Sequence, residues 1–233
     1  MKILQKGFNY SQDGPGNRLV YHLQGCNFRC KWCSNPESMS VSDEAKNYTV
    51  DELFDEVKRS RMMFFDGGGV TFTGGECTLQ YAELIELIKK LRAEGISTAI
   101  ETNASSEHLP EIAEFVDYLI ADFKHFDTQD HKKWTGVGNE TVKANLEKIF
   151  NSGRQLHVRI PLIHNVNDTP KGFVDFFTRY NTANAVFEFL PYHEFGKDKW
   201  TAEYEITDGF VSDETVKEFE ELFVSNGLKV VKT

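Results

Sequence analysis

"RLVYHLQGCNFRCKWC", residues 18–33, is the stretch on which the fold turns. Its first half, 18–25, is a short run of the apolar and β-branched or aromatic types that make strands. Its second half places three of the chain's four cysteines, Cys26, Cys30 and Cys33, within eight residues. A strand that empties into a chemically loaded loop suggests an α/β sheet whose site lies beyond the carboxyl ends of its strands.

Working outward, short apolar runs alternate with amphipathic stretches along the 233 residues. Further strands are predicted over 69–75, 96–102, 117–123, 156–162 and 185–191. A helix is expected from Thr49, which has Glu52 three residues later in a capping box. In the next, Leu84, Ile85, Ile88 and Leu91 share one face, and the helix stops at Gly95. "NETVKANLEKIFNSG", "KGFVDFFTRYNT" and "SDETVKEFEELFVSNG" supply three more, and 104–116 is a weaker helical stretch. Strands that alternate with helices require crossovers and a parallel sheet. Six such units predict a barrel-like α/β fold, closed or incomplete, in a single domain, residues 1–233, with a doubly wound open sheet as the competing architecture.

Polar clusters follow the carboxyl ends of these strands. The second ends in Gly74-Gly75-Glu76, the third in Glu101-Thr102-Asn103 and the fourth in Asp122-Phe123-Lys124. Arg159 lies within the fifth, and "PYHEFGKDKW" with His193 follows the sixth. In parallel α/β folds these ends share one face, so the clusters are expected to form one site. Gly67-Gly68-Gly69, ahead of the second strand, reads as a flexible connection with no phosphate role.

The formal charge of −10 argues against nucleic acid, which calls for a basic footprint. No run is apolar and long enough to span a membrane, and the N-terminal residues lack the apolar core of a signal peptide. A cytoplasmic location is therefore expected, where thiols stay reduced and clustered cysteines bind metal or do redox work.

A Cys-x3-Cys-x2-Cys loop brings three thiolates close enough for one metal centre. Zinc in a structural site wants four ligands, and Cys77 could complete that set, as in a binding adaptor without catalysis. An iron–sulfur cube held by three cysteines instead leaves one iron free for an outside chelator.

"CNFRCKWC" resembles the signature loop of the radical S-adenosylmethionine enzymes. Within them the chain is similar to the glycyl-radical-enzyme activating enzymes, of which the pyruvate formate-lyase activator is one, through "DGPGNR", "GGGVTFTGGE", "ETN", "DFK", "HVRIP" and "LPYHEFGKDKW". These stretches run from residue 13 to residue 200. The resemblance implies a partial (βα)6 TIM-like barrel, in agreement with the six strands, and an oxidoreductase chemistry. A [4Fe-4S] cluster held by Cys26, Cys30 and Cys33 would reductively cleave S-adenosylmethionine, and the 5′-deoxyadenosyl radical would take a hydrogen from a glycine Cα of a partner protein. It implies Trp32 near the adenine, and Gly74, Gly75 and Glu76 at the methionine amino group. Glu101, Thr102 and Asp122 would flank a monovalent cation, with Glu101 where the pyruvate formate-lyase activator has Asp. Lys124, Arg159 and His193 would lie near the cofactor's carboxylate, ribose and adenine, and Asp13 would touch the partner. Implied partners are a glycyl radical enzyme and a flavodoxin or ferredoxin electron donor, with the chain itself a monomer. Between Cys33 and Cys77 there is no cysteine, which leaves no thiols for auxiliary clusters. A radical enzyme acting on a small molecule, as in modified-base synthesis, is the alternative.

Overall fold

The computed structural model describes residues 1–232. Its strands are β1 (Lys2–Tyr10), β2 (Asn17–Leu23), β3 (Lys46–Asn47), β4 (Gly69–Gly74), β5 (Ser97–Thr102), β6 (Tyr118–Asp122), β7 (Leu156–Leu162) and β8 (Ala185–Pro191). They neighbour one another in the order β3-β1-β2-β4-β5-β6-β7-β8. The helices are α1 (Val50–Arg59), α2 (Tyr81–Ala93), α3 (Leu109–Ala113), α4 (Thr128–Thr135), α5 (Glu140–Ser152), α6 (Lys171–Phe177) and α7 (Asp213–Ser225). This is a mixed α/β fold on an open eight-stranded sheet, as in a partial TIM-like barrel.

All six predicted strands form. Two more were not foreseen, β1 and β3, and both run antiparallel to their neighbours. The reason lies in β1's exposure: most of Leu4 to Tyr10 faces solvent on this outer strand, so no apolar run or alternation marks it. The polar helix α4 was also unforeseen, although its ends carry signals. The Asp127 carboxylate caps it by accepting from the Gln129 and Asp130 amides, and Gly136 closes it at φ 88°. The Thr49–Glu52 capping box on α1 is present in both directions.

The chain divides into two compact units, with β6 contributing its first three residues to one and its last two to the other. The first unit comprises Met1–Asn27, Glu37–Thr102 and Ser106–Ile120. Here β2 pairs in parallel with β4, and β4 with β5. Val70 and Phe72 of β4 are buried with Leu84, Leu87, Ile88 and Leu91 of α2 and with Leu53 and Val57 of α1. Strand alternation sends Thr71 and Thr73 to the opposite face. There Thr71 Oγ1 accepts from Arg18 Nε at 2.7 Å and donates to the Asp13 carbonyl at 2.7 Å. Arg18, fully buried, also donates to the Pro15 and Val70 carbonyls. "DGPGNR" is thus fastened from below by its own arginine. The glycines before β4 are not a loose connection: a Cβ on Gly68 would stand 2.0 Å from the Asn17 carbonyl oxygen.

The second unit comprises Phe28–Pro36, Asn103–Ser105 and Ala121–Thr233, of which all but the last residue is described. β7 and β8 pair in parallel with Arg159 opposite Glu188. Its core is a packed set of phenylalanine rings: Phe123 stacks on Phe176 at 4.8 Å, Phe177 meets Phe187 at 4.7 Å and Phe189 meets Phe223 at 4.9 Å. A smaller cluster of Ile163, Tyr192 and Ile206 is covered by Trp32, Trp134, Val166 and Tyr204. No helix among the described residues is long and apolar enough to cross a membrane.

Candidate active site

In the first unit the end of β4 is stitched to the start of the cysteine loop. The Gly75 amide donates to the Leu23 carbonyl at 2.9 Å, and the Glu76 amide to the Gly25 carbonyl at 2.8 Å. The Gly25 and Cys26 amides donate in turn to the Ser38 and Met39 carbonyls. Glu76 is almost fully buried. Its Oε1 accepts from the Thr78 amide at 3.0 Å, the Thr78 hydroxyl at 2.5 Å and the Thr102 hydroxyl at 2.8 Å. It therefore caps the 3-10 turn Cys77–Gln80. Glu101 Oε2 accepts from the Thr73 hydroxyl at 2.9 Å. Cys77, completely buried, donates its thiol to the Glu101 carbonyl at 3.4 Å. Burial, then the charges of Glu76 and Glu101, push this thiol well above its ordinary range.

In the second unit Cys30 is buried and Cys33 half-buried, and the Cys33 amide donates to the Cys30 carbonyl at 3.2 Å. Two neighbours hold this part of the loop. At the end of α4, the Thr135 and Trp134 carbonyls accept from the Arg29 amide at 2.7 Å and the Lys31 amide at 3.1 Å. From the other segment, Trp200 Nε1 donates to the Cys33 carbonyl at 3.0 Å and Lys199 Nζ to the Ser34 carbonyl at 3.2 Å. Lys124 is buried with its ammonium 2.8 Å from Asp122 Oδ2. Burial alone would lower its pKa, but the charges of Asp122, Cys30 and Cys33 outweigh it and the ammonium is held more firmly than usual. All four cysteines are unbridged. A fixed cation beside two thiols suits an anionic metal–thiolate centre.

Arg159 and a residue absent from the sequence reading, Glu188, form a pair. Arg159 Nε donates to Glu188 Oε2 at 2.8 Å, and His157 Nε2 lies 3.0 Å from the same oxygen. The available signal was a lone carboxylate inside the apolar run "AVFEFLP". Burial would raise the Glu188 pKa, but His157 and Arg159 together draw it below the ordinary 4.5. A depressed folded value contributes stability above the unfolded value and loses it on acidification. Glu188→Gln is accordingly expected to cost about 2 kcal/mol in urea unfolding at neutral pH. The difference from the unaltered protein should close as the pH falls below 4.5. A gap that stays constant through that range would contradict the pairing.

Of the other expected residues, Trp32 is half-buried against the Ile163–Tyr192–Ile206 cluster. His193 is exposed, stacks on Phe195 at 4.3 Å and accepts from its amide through Nδ1. Asp13 is half-buried, with its carboxylate taking a hydrogen bond from Asn9. The structure thus joins Glu76 to Thr102 and Glu101 to Thr73 in the first unit, and Lys124 to Asp122 and Arg159 to Glu188 in the second. Cys26 belongs to the first unit, Cys30 and Cys33 to the second. Among the described residues, no three His, Cys, Asp or Glu side chains are gathered around one metal-ion position.

A strand-ended α/β sheet carrying this cysteine loop defines a class, and residues 20–177 match the family model described as the Radical SAM superfamily. The 4-hydroxyphenylacetate decarboxylase activating enzyme of Clostridioides difficile is 31% identical over 286 aligned positions, covering 93% of this chain and 90% of that one. The pyruvate formate-lyase-activating enzyme of Staphylococcus epidermidis is 33% identical over 199 positions, covering 81% of this chain and 79% of that one. A crystal structure of a domain of pyruvate-formate lyase-activating enzyme from Bacteroides vulgatus superposes with a TM-score of 0.60 at 29% identity, over 71% of this chain and 98% of that one. A radical SAM methyltransferase from Sphaerobacter thermophilus shares the fold at 16% identity, with a TM-score of 0.69 over 96% of this chain and 67% of that one. The chain belongs to the radical SAM superfamily, among the activating enzymes of glycyl radical enzymes. That membership implies a [4Fe-4S] cluster and S-adenosylmethionine.

Proposed function

We propose that this chain activates pyruvate formate-lyase or a near equivalent, working in the cytoplasm as a monomer with its two units acting as one catalytic domain. What supports this partner is collinearity. The alignment with the Staphylococcus epidermidis activator takes up 81% of this 233-residue chain in 199 positions, so only about ten of its positions have no counterpart here. The Clostridioides difficile alignment needs 286 positions for 93% of the chain, so several dozen of its positions have no counterpart here. That matches the absence of any cysteine between Cys33 and Cys77.

When bound, the cluster and S-adenosylmethionine supply the one-electron chemistry that takes a hydrogen atom from a glycine Cα. Cys26, Cys30 and Cys33 would hold the iron. Lys124, kept protonated beside Asp122, would face the cofactor's carboxylate and offset negative charge at the thiolates. Gly74, Gly75 and Glu76 would receive the amino group, with Glu76 held rigid by its three donors. Arg159, oriented by Glu188, would reach the ribose, and Trp32 and His193 the adenine. Glu101, Thr102 and Asp122 would be the protein's share of a monovalent-cation site. Asp13 would touch the partner protein. No side chain is assigned a part in bond making; position and exclusion of water are what the residues contribute.

The test is to reconstitute the chain anaerobically, reduce it and add S-adenosylmethionine with either pyruvate formate-lyase or 4-hydroxyphenylacetate decarboxylase. A glycine-centred paramagnetic resonance signal is expected in the first. A signal confined to the decarboxylase would overturn the partner, and no 5′-deoxyadenosine at all would overturn the activity.

A further inference from the structure

We propose that Trp200 is a positioning residue for the cluster: its indole N–H holds the Cys33 end of the cysteine loop where that thiolate can bind iron. The proposal rests on the activase reading above, and on it only for Cys33 as a ligand.

All the groups involved lie within the second unit. The loop is unevenly supported along its length. Around Cys30 the Arg29 and Lys31 amides run onto carbonyls at the end of α4. At Cys33 the amide bonds within the loop, to the Cys30 carbonyl, and the residues that follow, Ser34 and Asn35, belong to no sheet or helix. Support there comes from far along the chain. Trp200 Nε1 donates to the Cys33 carbonyl at 3.0 Å, and Lys199 Nζ to the Ser34 carbonyl at 3.2 Å and to Asn35 Oδ1 at 3.0 Å. Gly196 packs so closely that a Cβ would stand 2.4 Å from the Ser34 Cα. The contacts at Cys33 and Ser34 are to main-chain atoms, so they fix the course of the loop.

Trp200 is itself braced. It follows the 3-10 turn Lys197–Lys199, with its amide on the Lys197 carbonyl at 3.1 Å. Tyr204 meets its ring edge-on at 5.5 Å, and the Tyr204 hydroxyl lies 2.8 Å from that of Tyr192. Tyr192 is buried, with its amide on the Leu162 carbonyl of β7. The indole thus hangs from the sheet through two tyrosines. It has one N–H and no acceptor, so at this place it can only donate. Groups that orient a metal ligand without touching the metal govern how firmly the centre is retained and how it is tuned. An N–H dipole aimed at the Cys33 peptide also favours the more negative, reduced cluster.

The experiment begins on the reduced apoprotein, kept anaerobic, with alkylation of each cysteine by iodoacetamide followed by peptide mass mapping. Trp200→Phe removes the donor and keeps a ring against Tyr204. Cys33 is expected to react about tenfold faster, the weight of one hydrogen bond. Cys30 should keep its former rate, and the completely buried Cys77 should stay protected. After reconstitution, iron loss to a chelator should quicken by a similar factor, and the midpoint potential should move to more negative values. Gly196→Ala disturbs the same contact without touching the tryptophan. Its φ of −99° suits alanine, so the approach to Ser34 is what the methyl disrupts, and the Cys33 result should be reproduced. This variant decides the matter if Trp200→Phe fails to fold. Unchanged Cys33 reactivity in both variants would overturn the proposal. So would equal acceleration at Cys30, Cys33 and Cys77, since general loosening gives Trp200 no special place. Faster Cys33 alkylation with unaltered iron loss and potential would overturn its role toward the cluster. If the unaltered, reconstituted enzyme never cleaves S-adenosylmethionine, the activase reading fails, and the alkylation rates still decide what Trp200 holds.

Discussion

Cys30→Ala is expected to give a folded chain that binds little iron and forms no 5′-deoxyadenosine above background. Cys30 is the most buried of the three loop cysteines, and its carbonyl accepts from the Cys33 amide at 3.2 Å. The substitution removes a thiolate and leaves the backbone that shapes the turn. The rest of the loop keeps its anchors, since Arg29, Lys31 and Cys33 are held through main-chain atoms by Thr135, Trp134 and Trp200. Far-UV circular dichroism should therefore match the unaltered protein while iron, sulfide and visible absorbance fall together. Retention of S-adenosylmethionine cleavage in this variant would remove Cys30 from the ligand set, and with it the reading of the loop as a three-cysteine cluster site.

The second large effect is on folding. Gly75→Ala would place a methyl 2.2 Å from the Gly25 carbonyl oxygen and 2.8 Å from the Ser38 carbonyl oxygen. Both obstacles are backbone, so no side chain can swing aside. The expected cost is about 3 kcal/mol in urea unfolding, at the upper end of overpacking. Relief has one direction: the Gly25–Cys26 stretch must move away from β4 and break the 2.8 Å bond from the Glu76 amide. Iron content after reconstitution should fall as well. Gly67→Ala is the control. Its φ of 78° is a strained conformation for alanine, but nothing lies within 4 Å, so about 1 kcal/mol is expected and iron loading should be normal. Equal costs at the two positions would mean that contact with the cysteine loop is not what demands glycine at 75.

The need for glycine at 75 comes from a contact across strands, which the local sequence does not carry, whereas other features of the fold are written locally. Strands β2 and β4 to β8 were legible within about two residues because each is a short apolar run bounded by turn residues. The helices with buried stripes were legible too, and Gly95 and Gly153 follow α2 and α5 closely. β1 and α4 were not, because one exposes most of its residues and the other is polar throughout. Site residues were found where their type is rare, as with the cysteines, or placed by resemblance, as with Lys124 and Arg159. Their partners were harder. Glu188 sits 29 residues from Arg159 and meets it through strand register. Thr102, expected beside a cation, donates to Glu76, 26 residues away. Gly68, which read as slack, is forced by the Asn17 carbonyl from a strand 51 residues earlier. Local patterns report local structure; pairings across strands are fixed by topology, which no short window contains.

Cys77 bears on how the metal centre is put together. A thiol with no solvent contact, its proton retained by two flanking carboxylates, offers incoming iron no thiolate to seize. During maturation the chain would thus present three competent sulfurs rather than four, leaving one corner of a cluster open for the cofactor's amino and carboxylate groups.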